Sequence, residues 1–156
     1  MHHVTGAKQT SEASKIADEL THFLADTYIL YLKTQNFHWN VTGPLFYTLH
    51  KMFEAQYVEL ATAIDELAEQ IRALGSYTPA SFSQFTNLSS LKEATSAISA
   101  EKMIQELLND HETMMSHATI IITKAQKAQD EGTADILIQR QKVHEKTAWM
   151  LRSSLK

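Results

Sequence analysis

Residues 37–50, F-H-W-N-V-T-G-P-L-F-Y-T-L-H, place one histidine six residues before Pro44 and another six residues after it. Gly43 and Pro44 are turn formers, so the stretch reads as the corner of an αα-hairpin that sets His38 and His50 level on its two arms. The arm leaving the corner reads as a helix over 44–74 with Pro44 at its first position. On it His50, Glu54, Asp65 and Glu69 fall within an arc of about 100°. Two imidazoles and three carboxylates gathered near one face are mixed N and O donors of the kind that suits iron, manganese or zinc.

A single chain does not close such a site. Fifteen residues of helix separate His50 from Asp65, roughly 22 Å at 1.5 Å per residue, whereas a metal–ligand bond reaches only ~2 Å. A second copy of the helix, antiparallel across a two-fold axis, removes the difficulty. The pairs His50 with Glu69 and Glu54 with Asp65 share one midpoint, between Glu59 and Leu60, so a single register brings both pairs together, twice per dimer. Val58, Ala61 and Thr62 near that centre are small enough for close helix approach. The expected site is therefore intersubunit, with His38, His50 and Glu54 from one subunit and Asp65 and Glu69 from the other.

Outward from this core the chain reads as four long helices. Residues 1–10 are polar and read as a flexible tail in which His2 and His3 are solvated, leaving residues 11–156 as one domain. The first helix runs from Ser11 to Asn40 on the spacing of Ile16, Leu20, Phe23, Leu24, Leu30 and Phe37. The second buries Leu45, Leu49, Met52, Phe53, Leu60, Ile64, Leu67, Ile71 and Leu74 on a stripe separate from the metal face, and Gly75 stops it. A long crossover follows, in which Ser90 and Glu93 form a capping box that predicts a short helix. The third helix spans about Ala100 to Gln129 and the fourth, after Gly132, about Thr133 to Ser153, with Ile136, Leu137, Val143, Trp149, Met150 and Leu151 apolar. This is an all-α fold, a ferritin-like four-helix bundle with a short extra helix in the crossover between helices two and three.

Composition agrees. Of 156 residues 44% are hydrophobic and 21% charged, enough for one core, and only four Gly and two Pro interrupt it. The absence of cysteine excludes disulfides, thiolate zinc sites and iron–sulfur clusters. The start M-H-H-V-T-G resembles no secretory signal and no apolar run approaches a membrane span, so a cytoplasmic location is expected. The net charge of −4 argues against a nucleic-acid platform over the whole surface. A di-metal site inside one bundle, as in bacterioferritin or manganese catalase, requires two Glu-x-x-His units. The chain has one, Glu19 with His22, so His22 reads as a surface or interface residue. His111, His117 and His144 lack partners at ligand spacing.

Taken together, F-H-W-N-V-T-G-P-L-F-Y-T-L-H, the later D-E-L-A-E-Q-I-R-A-L-G and the softer G-T-A-D-I-L resemble the Dps family, the DNA-binding proteins from starved cells or mini-ferritins. The likeness extends from the first helix to Lys156. It implies a hollow shell of twelve subunits that oxidises Fe(II), preferentially with hydrogen peroxide, at centres of two irons and stores ferric mineral inside, protecting the cell and its DNA. The matching ligands are His38, His50, Asp65 and Glu69, while Glu54 stands where the family more usually has Asp. The resemblance also implies that Trp39 intercepts stray oxidising equivalents and that Asp130, Glu131 and Asp135 line an acidic pore at the three-fold axis. The bland reading of those acids is capping of the fourth helix. Family members bind DNA through a lysine-rich tail; this tail has only Lys8 and Lys15, so any DNA binding, including association with the nucleoid, is expected to be weak. The competing function is a non-catalytic, nucleoid-associated or structural helical assembly whose acids form salt bridges. It is disfavoured because carboxylates crowd together at a cost unless a cation joins them.

Overall fold

The computed structural model describes residues 5–94 and 97–156, so His2 and His3 lie outside the described residues. Five helices follow in order: α1 (Thr5–Asn40), α2 (Phe46–Ala73), α3 (Phe82–Leu88), α4 (Ala100–Lys127) and α5 (Glu131–Ser153). Two hairpins, α1 with α2 and α4 with α5, pack together through α1 and α4, and the crossover lays α3 against α1. Among the described residues there is no strand, and no helix is long and apolar enough to cross a membrane. The four-helix bundle with one small crossover helix is the architecture the sequence predicts.

Its core is built from stripes at helical spacing. On α1 these are Leu20, Phe23, Leu24, Thr27, Leu30, Thr34 and Phe37, all at most 1% exposed, each apolar one contributing about 1.5–3 kcal/mol by leaving water. The two threonines fit because their hydroxyls donate to carbonyls one turn back, Phe23 O and Leu30 O, both at 2.7 Å. Opposite them stand Leu49, Phe53, Leu60, Leu67 and Ile71 of α2 and Leu107, Leu137 and Leu151 of the second hairpin.

Several boundaries and burials differ from expectation. Helix α1 begins at Thr5, six residues before Ser11, with Ala7, Lys8 and Gln9 continuing the helical run. Helix α2 begins at Phe46 rather than Pro44, because Gly43 at φ +112° and the bond from Phe46 N to Gly43 O (3.0 Å) use Pro44 and Leu45 in the turn. Leu45 is accordingly 55% exposed. The end of α2 is as expected: Gly75 at φ +95° allows Gly75 N to bond Arg72 O and Ser76 N to bond Ile71 O. The short helix lies earlier than the capping box implied, with Ser81 accepting from Gln84 N at 3.3 Å. Helix α5 buries Leu137, Arg140, His144, Ala148 and Leu151, and that face leaves Trp149 58% and Met150 41% exposed.

Ser90 does not cap a helix because Asp26 claims it. Asp26, 2% exposed on α1, accepts from Ser89 Oγ and Ser90 N (2.7 Å each), from Ser90 Oγ (3.2 Å) and from His117 Nδ1 of α4 (3.2 Å). Two turns further along α1, the buried Lys33 ammonium donates to Lys92 O (3.1 Å) and pairs with Asp110 (3.0 Å) and Glu106 (3.3 Å) of α4. Burial raises the Asp110 carboxyl above its ordinary value, and Lys33 opposes the rise. Two buried charges of opposite sign thus pin the crossover onto α1. Asp26→Ala is expected to strand the Ser90 amide and both serine hydroxyls, lowering the urea unfolding free energy by about 3 kcal/mol. A loss below about 1 kcal/mol would show that water replaces the carboxylate without penalty.

A second buried polar group joins α4 to α5. His111 and His144 meet Nδ1 to Nδ1 at 2.8 Å, and Arg140 Nη2 approaches His144 Nε2 at 3.3 Å. An arginine donates only, so His144 accepts at Nε2, donates from Nδ1, and leaves His111 to accept. Arg140 in turn pairs with Glu59 of α2 at 2.5 Å. Burial, reinforced by Arg140, lowers His111 to about 3. Burial, then His111 and Arg140, lower His144 well below its usual value. Both rings are therefore neutral at pH 7.

Candidate metal centre

The hairpin corner places His38 in the last turn of α1 and His50 in the second turn of α2. Each ring is fixed by the other residue's backbone: His38 Nδ1 donates to His50 O at 2.6 Å, and His50 Nδ1 donates to His38 O at 2.7 Å. The carbonyls accept, so both protons sit on Nδ1 and both Nε2 lone pairs are free to bind a metal. The rings stack with centroids 3.8 Å apart and planes 12° from parallel. Phe46, one turn before His50, stacks on that ring at 5.1 Å, and Tyr57 sets its edge against His38 at 5.2 Å.

Glu54 completes a cluster. One ligand atom from each of His38, His50 and Glu54 lies within 4.8 Å of the others, and His38 is buried at 7% exposure. Lys51, one turn before Glu54, approaches its carboxylate at 3.7 Å across a solvated surface, where such a pair contributes under about 1 kcal/mol. Two imidazoles and one carboxylate are a donor set that iron accepts. It leaves coordination positions open.

Asp65 and Glu69 continue the same face of α2 but stay exposed and far along the axis from this cluster, as the spacing requires. Among the described residues neither forms an ion pair. Arg72, the nearest candidate to neutralise them, instead lies over the Tyr77 ring at 4.4 Å and donates to Ser76 O at 3.1 Å. Val58, Ala61 and Thr62 are also exposed, giving an uncovered strip of small residues between the His38, His50 and Glu54 cluster and the pair Asp65 and Glu69. Trp39 is 61% exposed. Asp130 is the N-cap of α5, accepting from Thr133 N (3.0 Å) and Thr133 Oγ1 (2.6 Å), while Glu131 and Asp135 lie exposed in the first turns of that helix. Capping is thus a role of Asp130.

Sequence reasoning missed Tyr57 and Phe46 as neighbours of the histidines. Both were legible in spacing, since they stand seven residues after His50 and four before it, on the same side of α2. It also left out the pairing of His111 with His144, for which their separation by 33 residues offers no local signal.

Comparison with known proteins agrees with the fold. The family model of the ferritin-like domain matches residues 17–156. The "DNA protection during starvation protein 2" of Bacillus anthracis is 40% identical over 141 residues, covering 90% of this chain and 97% of that protein. The crystal structure of a Dps protein from Bacillus brevis superposes with a TM-score of 0.91 at 37% identity, covering 94% of this chain and 98% of that one. The Dps protein of Vibrio cholerae O1, described as a member of a broad superfamily of ferritin-like diiron-carboxylate proteins, gives a TM-score of 0.91 at 33% identity over 94% of this chain and 92% of that one. With fold, length and relatives in agreement, this chain belongs to the Dps family of ferritin-like proteins.

Proposed function

We propose that this protein is an iron-sequestering ferroxidase of the cytoplasm, oxidising Fe(II) preferentially with hydrogen peroxide at intersubunit centres of two irons. The ferric product is stored inside a shell of twelve subunits. The observation that carries the proposal is the reciprocal His38–His50 bonding, which turns both Nε2 atoms into metal ligands beside Glu54. Asp65 and Glu69 of the partner supply the remaining oxygens, and the strip of Val58, Ala61 and Thr62 between them is the contact for the antiparallel α2. Glu69 would supply a carboxylate to hold the iron beside the histidines of the other subunit. Carboxylates favour the harder ferric ion, so the ligand set stabilises the oxidised product. Two irons deliver both electrons at once: 2 Fe(II) + H2O2 + 2 H⁺ gives 2 Fe(III) + 2 H2O, with no one-electron product released.

A non-catalytic assembly gains no support from Asp65 and Glu69, because neither is in an ion pair among the described residues. With a net charge of −4, DNA binding is weak and salt-sensitive. The test is anaerobic Fe(II) titration of the assembled protein, followed by separate additions of peroxide and oxygen. Saturation near two irons per subunit, with one peroxide consumed per two irons and a slower response to oxygen, is the expected result. Absence of Fe(II) binding, or binding untouched by His38→Ala with His50→Ala, overturns the proposal.

A further inference from the structure

Beyond the ligands, an unbroken run of oxidisable rings leads away from the centre. Tyr57 meets His38 edge-on at 5.2 Å between ring centroids, Tyr31 meets Tyr57 at 6.0 Å, and Tyr28 meets Tyr31 at 5.7 Å. Tyr28, Tyr31 and His38 fall on one stripe of α1, and Tyr57 reaches it from α2. We propose that Tyr57, Tyr31 and Tyr28 form a relay that draws single oxidising equivalents out of the metal centre when peroxide meets a centre holding one Fe(II) instead of two. The inference rests on the ferroxidase reading above and adds the fate of the unpaired electron.

The need for it is stoichiometric. Peroxide takes two electrons and a lone Fe(II) gives one, so the second must come from a neighbouring group or a hydroxyl radical escapes. A phenol supplies it with its proton: Fe(II) + H2O2 + Tyr57–OH + H⁺ gives Fe(III) + Tyr57–O• + 2 H2O. The hole then moves by exchange of one electron and one proton, Tyr57–O• + Tyr31–OH giving Tyr57–OH + Tyr31–O•, and once more to Tyr28. Gln35 Nε2 donates to the Tyr31 oxygen at 3.0 Å, a bond that the phenoxyl oxygen still accepts. Past Tyr28 the rings are Phe85, stacked at 4.7 Å, and Phe82 at 6.4 Å. Phenylalanine is far harder to oxidise than a phenol, so the hole stops at Tyr28, which lines an open cleft of about 340 Å³ with Pro79 and Ala80. Trp39 is in no aromatic pair among the described residues, so the ring contacts favour Tyr57 as the first donor.

The experiment loads the assembled protein anaerobically with one Fe(II) per centre, adds peroxide, freezes the sample within milliseconds and records the electron paramagnetic resonance spectrum. The wild type is expected to give a radical whose spectrum narrows with ring-deuterated tyrosine and is unchanged by deuterated tryptophan. Tyr57→Phe keeps the ring edge on His38 and removes the phenol. It should lose the tyrosyl signal and release trappable hydroxyl radical, while peroxide consumption at centres loaded with two irons stays as in the wild type. Tyr31→Phe should keep a radical but leave oxidation products on Tyr57 and none on Tyr28. An undiminished tyrosyl signal in Tyr57→Phe, or a wild-type signal that responds to deuterated tryptophan, overturns the relay while leaving the ferroxidase reading intact. Failure of the wild type to bind Fe(II) overturns both.

Discussion

Two dead variants, one with His38→Ala and His50→Ala and the other with Asp65→Ala and Glu69→Ala, are expected to regain ferroxidase activity when refolded together. Alone, each removes one half of every centre. In a mixed dimer one centre takes its histidines from the acid-deficient chain and its acids from the histidine-deficient chain, and is fully wild type, while its twin lacks both halves. Random pairing makes half the dimers mixed, so about one quarter of the centres, and of the rate, should return. An in-chain site does not complement, because every chain carries a broken set. Shells that mass spectrometry shows to contain mixed dimers, yet oxidise no iron above the parental level, would sink the intersubunit assignment.

The second large effect is on acid stability. His111 and His144 are neutral in the folded chain, with pKa values driven down by burial, whereas in the unfolded chain they titrate near ~6.5. Below that value the unfolded state binds protons that the folded state refuses, so stability is lost as pH falls from about 6.5 toward the folded value of about 3 for His111. For His111 the loss is about 2 kcal/mol by pH 5, at 1.36 kcal/mol per pH unit, and His144 adds to it in the same direction. Among the described residues Glu59 is the one acid paired with Arg140, so protonated rings there add positive charge beside a guanidinium that is already matched. Urea unfolding at fixed protein concentration should show a steep loss between pH 7 and pH 5 in the wild type and a loss smaller by about 2 kcal/mol or more over that range in the variant with His111→Gln and His144→Gln. Identical slopes would mean that the carboxylates, not this pair, govern acid unfolding.

How much of this was legible depends on range. The corner at Gly43 and Pro44, the stop at Gly75 and the nearness of His38 and His50 across that corner are encoded locally, so turn chemistry and periodicity found them. Ser90 carried a local helix signal that lost to a tertiary one, since the buried Asp26 lies 64 positions away and nothing near Ser90 announces it. Trp149 and Met150 count among the apolar residues of the fourth helix, but the face that α5 buries carries Arg140 and His144 beside Leu137, Ala148 and Leu151, and nothing local announces the burial of those polar residues against Glu59. The candidate centre was readable because its ligands repeat on one helix. The tautomers of His38 and His50 were not, because a backbone carbonyl as acceptor leaves no trace in residue identity.

Those reciprocal bonds also have a kinetic meaning. His38 and His50 are twelve positions apart, and a chain closes a loop of about ten residues in roughly 10–100 ns. The bonded pair His38 and His50 is thus a contact of low sequence separation, formed as α1 and α2 dock. On the proposed reading, Asp65 and Glu69 of a second copy would arrive only by bimolecular encounter, at a rate set by subunit concentration. On the proposed intersubunit reading, capture of a metal ion by a monomer and its oxidation by an assembled pair would be separated in time, and dilution is expected to slow the second without touching the first.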